Sequence, residues 1–406
     1  MLGKYQSNAM TCKKPCLWVH IDDFSVAFQL SEHVIFHLFT PMIRRAERSD
    51  IPALLHLEQQ SFETDRISER SFKHLLKRGK STLLVYDASG SILGYSVILF
   101  RQNTSMARLY SLAVLAEARG KGIAAQLLAT CEADALEHGV VSMRLEVNIN
   151  NTAAIALYHK LGYRDFDVYP DYYEDHTAAI RMQKALAAHL APHSSPVPFY
   201  SQTLEFTCGP ASLMMAMKAL KPKLKLTRQL ELRLWREATT IFMTSGHGGC
   251  TPYGLALSAF HRGLHAELFT PSDTVMFIDS VRNEEKREVI RIVQEDFLQE
   301  IHRRGLPLQE RHLSLSEMEQ RFHAGAIPVV LISAYRLTGD KSPHWVVVCG
   351  FDAKFIYIHE PYVDTDEGES DTTCFGIPVT HQEFERMRFY GSRRQYATLL
   401  LSQGEQ

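Results

Sequence analysis

The run Gln202-Thr-Leu-Glu-Phe-Thr-Cys208-Gly209-Pro210 is followed at once by an apolar helical stretch from Ala211 to Leu220. Few local patterns constrain a chain as tightly, because this one sets a cysteine at the mouth of an apolar helix. There the unpaired backbone N–H groups and the helix dipole favour a thiolate over a thiol. Gln202, upstream, can supply an amide donor to an oxyanion. His344 heads the apolar run His344-Trp-Val-Val-Val-Cys-Gly350, and Glu360 closes the next, Lys354-Phe-Ile-Tyr-Ile-His-Glu360. Nucleophile, base, orienting acid and oxyanion donor occur in a workable order, so the second half reads as a cysteine-dependent acyl-transfer enzyme.

The first half carries a different pattern. Glu117-Ala-Arg119-Gly120-Lys121-Gly122-Ile123-Ala124 follows an apolar strand, Arg108 to Val114, and opens an amphipathic helix to about His138. Glycines at such a junction let backbone N–H groups approach an anion, and the helix N-terminus favours negative charge there.

Composition fits two ordinary folded domains. The chain has 406 residues, 45% of them hydrophobic and 22% charged, enough for two or three separate cores. A formal net charge of −2 gives no reason to expect nucleic acid or a membrane surface as partner, and no apolar run reaches the length of a membrane span. Seven scattered cysteines, an odd number, point to a reducing, cytoplasmic compartment rather than a disulfide framework. Nothing in the sequence bears on oligomeric state.

Residues 1–41 match neither half, and their role is open. Cys12-Lys-Lys-Pro-Cys16 has no second Cys/His pair, and Ser245-Gly-His247-Gly-Gly-Cys250 reads as a Gly-rich loop lining the cleft, so no metal is expected. Residues 42–190 alternate helix and strand: a helix opened by Asp50 and Pro52, a hairpin about Asp87-Ala-Ser-Gly90, the Gly loop and its helix. A strand Met143–Val147, a helix Thr152–Leu161 ended by Gly162, and two last strands about Tyr172-Tyr173 and Ala178–Met182 follow. Residues 191–198, rich in Pro and Ser, read as a linker, and 199–402 as the second domain. Tyr253–Phe260 reads as a packing helix, Arg282–Arg291 as a solvated helical face.

The first half resembles the GNAT N-acetyltransferases, and within them those acting on ribosomal-protein N-termini. The likeness rests on Leu112-Ala113-Val114 before Arg119–Ala124, and on Leu145-Glu-Val-Asn-Ile-Asn-Asn-Thr-Ala-Ala-Ile-Ala-Leu-Tyr-His-Lys-Leu-Gly-Tyr163. It implies a mixed twisted sheet flanked by helices and acetyl-CoA as cofactor. The pyrophosphate would lie on Arg119, Gly120, Lys121, Gly122, Ile123 and Ala124, and the pantetheine arm along Leu112, Ala113 and Val114. Asn151 would contact the cofactor, Glu146 would act as general base, and Tyr158 as the acid that protonates the departing thiolate. Read from the residues alone, Glu146 is equally a solvent-facing position on an alternating strand, and Tyr158 amphipathic packing.

The second half resembles the C39-like cysteine peptidases, a papain-type α+β group. By that likeness Cys208 is the nucleophile, His344 the base, Glu360 the orienting acid and Gln202 the oxyanion donor. The family usually has Asp before this Pro, where the chain has Glu360, and Asp352 and His359 are nearby alternatives. The residue-level alternatives are a buried structural thiol at Cys208 and a core histidine at His344. The whole reads as an α/β (α+β) protein acting on a peptide or amine. One half would acetylate an amine; the other would cleave an amide or transfer an acyl group. The alternatives are an acetyl-CoA-sensing first half that regulates a cysteine peptidase, or a second half that is a peptide-binding module without catalysis.

Overall fold

The computed structural model describes residues 16–21, 24–29, 42–77, 79–187, 196–239, 248–272, 274–364 and 369–404. Cys12, His247 and all but the end of the Pro/Ser-rich stretch lie outside the described residues. In the segment that matched neither half, β1 (Cys16–Ile21) and β2 (Phe24–Gln29) pair as an antiparallel hairpin.

One seven-stranded sheet runs β3-β4-β5-β6-β7-β9-β8. Its strands are β3 (Met42–Arg45), β4 (Ser81–Ala88), β5 (Ser91–Phe100), β6 (Met106–Val114), β7 (Ser142–Asn148), β8 (Arg164–Tyr169) and β9 (Ala179–Ala185). Four helices accompany it: α1 (Ile51–Ser61), α2 (Glu69–Lys77), α3 (Ile123–Glu137) and α4 (Thr152–Lys160). Pro52 sits in the first turn of α1, where its missing N–H costs nothing, and Leu54 and Leu57 are fully buried. The β4–β5 turn is the tight hairpin its residues call for. Ser89 and Gly90 have φ of +57° and +91°, and Asp87 Oδ1 accepts from the Gly90 N–H at 2.7 Å. Gly162, at φ +92°, ends α4 as expected.

One detail differs from the sequence expectation. Tyr172 and Tyr173 lie in the β8–β9 loop rather than on a strand, because Asp171 and His176 take left-handed φ of 55° and 65° and turn the chain there. The parallel ladder between β6 and β7 is short, pairing Met106–Arg108 with Ser142–Arg144.

The second seven-stranded sheet runs β11-β10-β16-β12-β13-β14-β15 and is antiparallel except for β10–β11. Its strands are β10 (Leu264–Phe269), β11 (Leu308–Gln309), β12 (Ile327–Ser333), β13 (Pro343–Phe351), β14 (Phe355–His359), β15 (Ile377–Thr380) and β16 (Thr398–Gln403). The helices are α5 (Cys208–Leu220), α6 (Arg228–Ala238), α7 (Pro252–Phe260), α8 (Glu284–Arg304), α9 (Leu315–His323), α10 (Asp371–Cys374) and α11 (His381–Met387). Every residue of α5 except Lys218 and Ala219 is buried, which is why its sequence is apolar on all faces. It lies against β13, where Ser212 Oγ donates to the Trp345 carbonyl at 3.0 Å. Helix α7 is buried from Pro252 to Ala259, while on α8 Glu284, Arg287, Glu288 and Arg291 pair among themselves in solvent.

By contacts the chain divides into two compact units. One takes the chain to Lys77 with Leu83–Ser96 and Leu112–Leu128; the other takes Arg78–Thr82, Val97–Ser111 and everything from Ala129. The second unit therefore joins the later strands of the first sheet to the whole second sheet.

Gly254 marks the tightest approach in the second half, since a Cβ there would lie 2.5 Å from the Ala238 Cα and 2.9 Å from its carbonyl oxygen. Gly254→Ala should force α6 and α7 apart and destabilise the fold by about 1–3 kcal/mol, the usual cost of overpacking. Urea denaturation followed by tryptophan fluorescence measures it, and an unchanged midpoint would refute the tight contact.

Candidate active site

Cys208 is the first residue of α5 and is 8% exposed. Gly209 lets the helix start lie close to its neighbours: a Cβ there would meet Cys250 Cβ and Trp345 Cδ1 at 3.2 Å. His344 stands at the head of β13, within hydrogen-bonding reach of the Cys208 side chain. Its Nε2 is 2.5 Å from Glu360 Oε1, which leaves Nδ1 for the sulfur. Glu360 follows β14 and is buried, and its Oε1 also accepts from the Tyr362 N–H at 2.8 Å. The structure thus brings Cys208, His344 and Glu360 together.

The charges follow from that geometry. Burial opposes a charge on His344, but the Glu360 carboxylate and the Cys208 sulfur outweigh it and raise its pKa to about 10. Burial likewise opposes a charge on Glu360. The His344 ring, with Arg101 and the Tyr362 N–H, offsets this and holds the carboxylate below its ordinary range.

The loop before the cysteine is held from below by a residue the sequence reading missed. Glu231 on α6 is fully buried. It accepts from the Thr203 N–H and hydroxyl, each at 2.8 Å, from the Tyr200 hydroxyl at 2.9 Å, and from the Thr207 hydroxyl. On an amphipathic helix Glu231 looks like any surface acid, so no local signal marks it. The same loop is tied to the Glu360 segment by the Gln202 N–H, which donates to the Pro361 carbonyl at 2.8 Å.

Three sequence candidates are placed differently. The Gln202 amide nitrogen donates to the Leu204 carbonyl at 2.9 Å, and its buried Oε1 has no hydrogen-bond partner among the described residues. His359 is fully buried, with Nε2 2.7 Å from the Val197 carbonyl and Nδ1 accepting from the Gly376 N–H. Asp352 binds the Lys354 and Phe355 N–H groups and the Tyr357 hydroxyl, closing a turn. Neither of these last two is bonded to His344, so Glu360 takes that place.

In the first half, Gly120 and Gly122 have φ of +78° and +79°, and the loop Arg119–Ala124 ends at the start of α3. Arg119 Nε donates to the Val114 carbonyl at 3.1 Å, tying the loop to the end of β6. Asn151 caps α4, its Oδ1 accepting from the Ala154 N–H at 3.1 Å. Tyr158 is buried against Tyr163, and burial raises its pKa, so the phenol keeps its proton. Glu146 is not solvent-facing, as an alternating strand would have it. Its side chain is 4% exposed and accepts from Arg108 Nε at 2.8 Å and Ser370 Oγ at 2.7 Å. Against the cost of burial, Arg108, Thr372 and Ser370 hold its carboxyl below the usual range.

Among the described residues no cluster of His, Cys, Asp and Glu is placed to hold a metal, and no helix is long and apolar enough to cross a membrane.

Residues 197–402, just over half the chain, match the model of the Peptidase_C39 like family. The chain belongs to that family. Ahead of its Peptidase_C39 like part, residues 48–186 match the acetyltransferase (GNAT) domain. That part is 31% identical over 144 residues to an uncharacterized N-acetyltransferase of Methanocaldococcus jannaschii, covering 35% of this chain and 90% of that protein. It is 28% identical over 132 residues to a ribosomal-protein alanine N-acetyltransferase of Escherichia coli, covering 32% of this chain and 86% of that protein. The crystal structure of the Escherichia coli enzyme aligns with 25% identity and a TM-score of 0.34, over 38% of this chain and all of that one. The expected pairing of a GNAT domain with a C39-like domain is therefore correct.

Because Glu360 supplies the largest charge favouring the His344 imidazolium, Glu360→Gln should lower the pKa of that ring by about 1–3 units. The shift is upward in the unsubstituted protein, so the stability tied to His344 is full below 6.5 and lost as pH rises through about 10. Nitrogen-15 NMR of the histidine ring tests this; identical titrations in the two proteins would contradict the ion pair.

Proposed function

We propose that Cys208, His344 and Glu360 act as nucleophile, proton carrier and orienting acid of a cysteine-dependent amide hydrolase or acyltransferase. The first half, in this reading, transfers an acetyl group from acetyl-CoA to an amine of a peptide, a protein N-terminus or a small molecule. One observation carries the first statement: His344 is held by Glu360 at Nε2 while its ring lies within hydrogen-bonding reach of the Cys208 side chain. An imidazolium beside a sulfur at a helix start is the arrangement in which a cysteine attacks as its anion. The sulfur would add to an amide carbon while the helix-head N–H groups receive the oxyanion. His344 would then give its proton to the leaving nitrogen as the C–N bond breaks. Water or an amine would next attack the thioester, passing its proton to His344 as the C–S bond breaks, which restores the thiolate–imidazolium pair. Among the described residues Cys131, Cys208, Cys250, Cys349 and Cys374 are buried and in no disulfide, which fits a reducing, cytoplasmic setting.

In the first half, the Arg119–Ala124 loop would take the pyrophosphate on backbone N–H groups, with Leu112–Val114 along the pantetheine arm and Asn151 beside the cofactor. Tyr158, kept protonated by burial, would return a proton to the coenzyme thiolate. GNAT acetyltransferases use acetyl-CoA, and the φ of Gly120 and Gly122 supports a loop of that kind here. A second reading is favoured by Glu146. Held by Arg108 and Ser370, its carboxylate has no free approach as a base, which suits an acetyl-CoA-sensing module that regulates the cysteine site.

At neutral pH iodoacetamide should label Cys208 about tenfold or more faster than Cys131 or Cys349, the anion being the reactive form. His344→Ala should abolish that difference. Peptide mapping that finds the three equally reactive would reduce the second half to a binding module.

A Cβ at Gly122 meets nothing closer than 3.8 Å, so Gly122→Val acts through its φ of +79° rather than by a clash. Acetyl-CoA affinity should fall about tenfold, roughly 1.4 kcal/mol, by calorimetry. Tyr158→Phe should leave that affinity alone and cut acetyl transfer to a peptide by about 10²- to 10⁴-fold. Bound cofactor with no transfer by the unsubstituted protein to any peptide would favour the sensor.

A further inference from the structure

Arg101 follows the last residue of β5, in the half that matches the acetyltransferase domain, yet its side chain is spent on the other half. It is 4% exposed, and Nη2 lies 4.0 Å from Glu360 Oε2. Nη1 lies 3.3 Å from Glu369 Oε2 and donates to Cys374 Sγ and the Thr373 carbonyl, each at 3.0 Å. Both residues belong to the same compact unit. Glu360 Oε1 is taken by His344 and the Tyr362 N–H, whereas Oε2 has no hydrogen bond among the described residues. Neither Arg101 Nε nor Nη2 has one.

We infer that Arg101 is a positioning residue of the cysteine site: its guanidinium keeps Glu360 charged and turned towards His344. A fully buried carboxylate with one oxygen unbonded needs a second cation to remain ionised beside an imidazolium. Arg101 is the cation in place. The inference rests on the cysteine reading above and adds a partner that a C39-like half cut out at residue 197 would lack.

The charges around the pair define the test. Glu360 faces His344 from β13, Arg101 from the end of β5, and Glu369 and Cys374 from the segment that follows it, with Cys208 beyond His344. Lys80, Arg108 and Asp364 line the adjoining cavity of about 50 Å³. Removing the Arg101 charge raises the proton affinity of every group it faces. The acid limb of Cys208 alkylation against pH should therefore move upward in Arg101→Met.

The experiment measures iodoacetamide labelling of Cys208 between pH 4 and 9 in full-length protein, with peptide mapping. Arg101→Met should shift the acid limb up by about one pH unit, the size expected of one neighbouring charge. Arg101→Lys should restore most of it, which a purely structural role would not do. Glu369→Gln, which frees Arg101 from its other carboxylate, should shift the limb down, and it serves as the deciding variant if Arg101→Met does not fold. Superimposed profiles for folded Arg101→Met and the unsubstituted protein, or no downward shift in Glu369→Gln, would overturn the inference alone. A profile for the unsubstituted protein that is unchanged by His344→Ala would overturn the cysteine reading and the inference with it.

Discussion

An ionised carboxylate survives in a protein interior only where cations and N–H groups replace the water it has lost. Glu360 is 1% exposed, and the groups that replace its water come from three places. His344 arrives on β13, the Tyr362 N–H from the chain just beyond, and Arg101 from the end of β5. Move any of them and the others are left with an uncompensated charge. The cysteine site therefore depends on strands that lie far apart in sequence, and its imidazolium depends on all of them.

The segment behind Glu360 links this charge to the first sheet. The Glu360 N–H donates to the Cys374 carbonyl at 2.8 Å, at one end of α10. At the other end Ser370 donates to Glu146 at 2.7 Å. Arg144 binds the Thr372 carbonyl at 2.9 Å, and Arg181 binds the Thr372 hydroxyl at 2.8 Å. Crowded between β7 and β9, these two guanidiniums repel each other. Burial first, and Arg181 second, lower the Arg144 pKa to about 10. Glu146 of the first half and Glu360 of the second are thus both held by one short stretch of chain. A shift in that stretch changes the surroundings of both.

The loop that presents Cys208 obeys a similar rule at smaller scale. Glu231 gathers the Tyr200, Thr203 and Thr207 hydroxyls and the Thr203 N–H, so the chain entering α5 has one shape. Gly209 then lets the first turn come within 3.2 Å of Trp345 and Cys250. The cysteine is placed by a buried acid behind it and a missing side chain beside it.

Much of this was legible in the residues themselves, because local rules suffice for elements that depend on neighbours in sequence. Pro52 in the first turn of α1, Ser89-Gly90 in a two-residue turn, and the all-round apolar face of α5 each carry their structure in a few adjacent letters. Cys208, His344 and Glu360 could be named for the same reason, since each stands at the end of an apolar run. What the sequence could not decide was which polar groups would meet. Arg101 and Glu360 are separated by more than half the chain, and Glu231 carries no mark that distinguishes it from a solvated acid. Glu146 looked free because alternation along a strand says nothing about what covers it; Arg108 and Ser370 do. Asp352 and His359 stood near Glu360 as alternatives, and only the folded chain, with β13 paired to β14, put Glu360 on His344. Periodicity and turn chemistry are local, whereas a buried charge is satisfied by whatever the folded chain brings within about 3–4 Å, and that is set by tertiary structure.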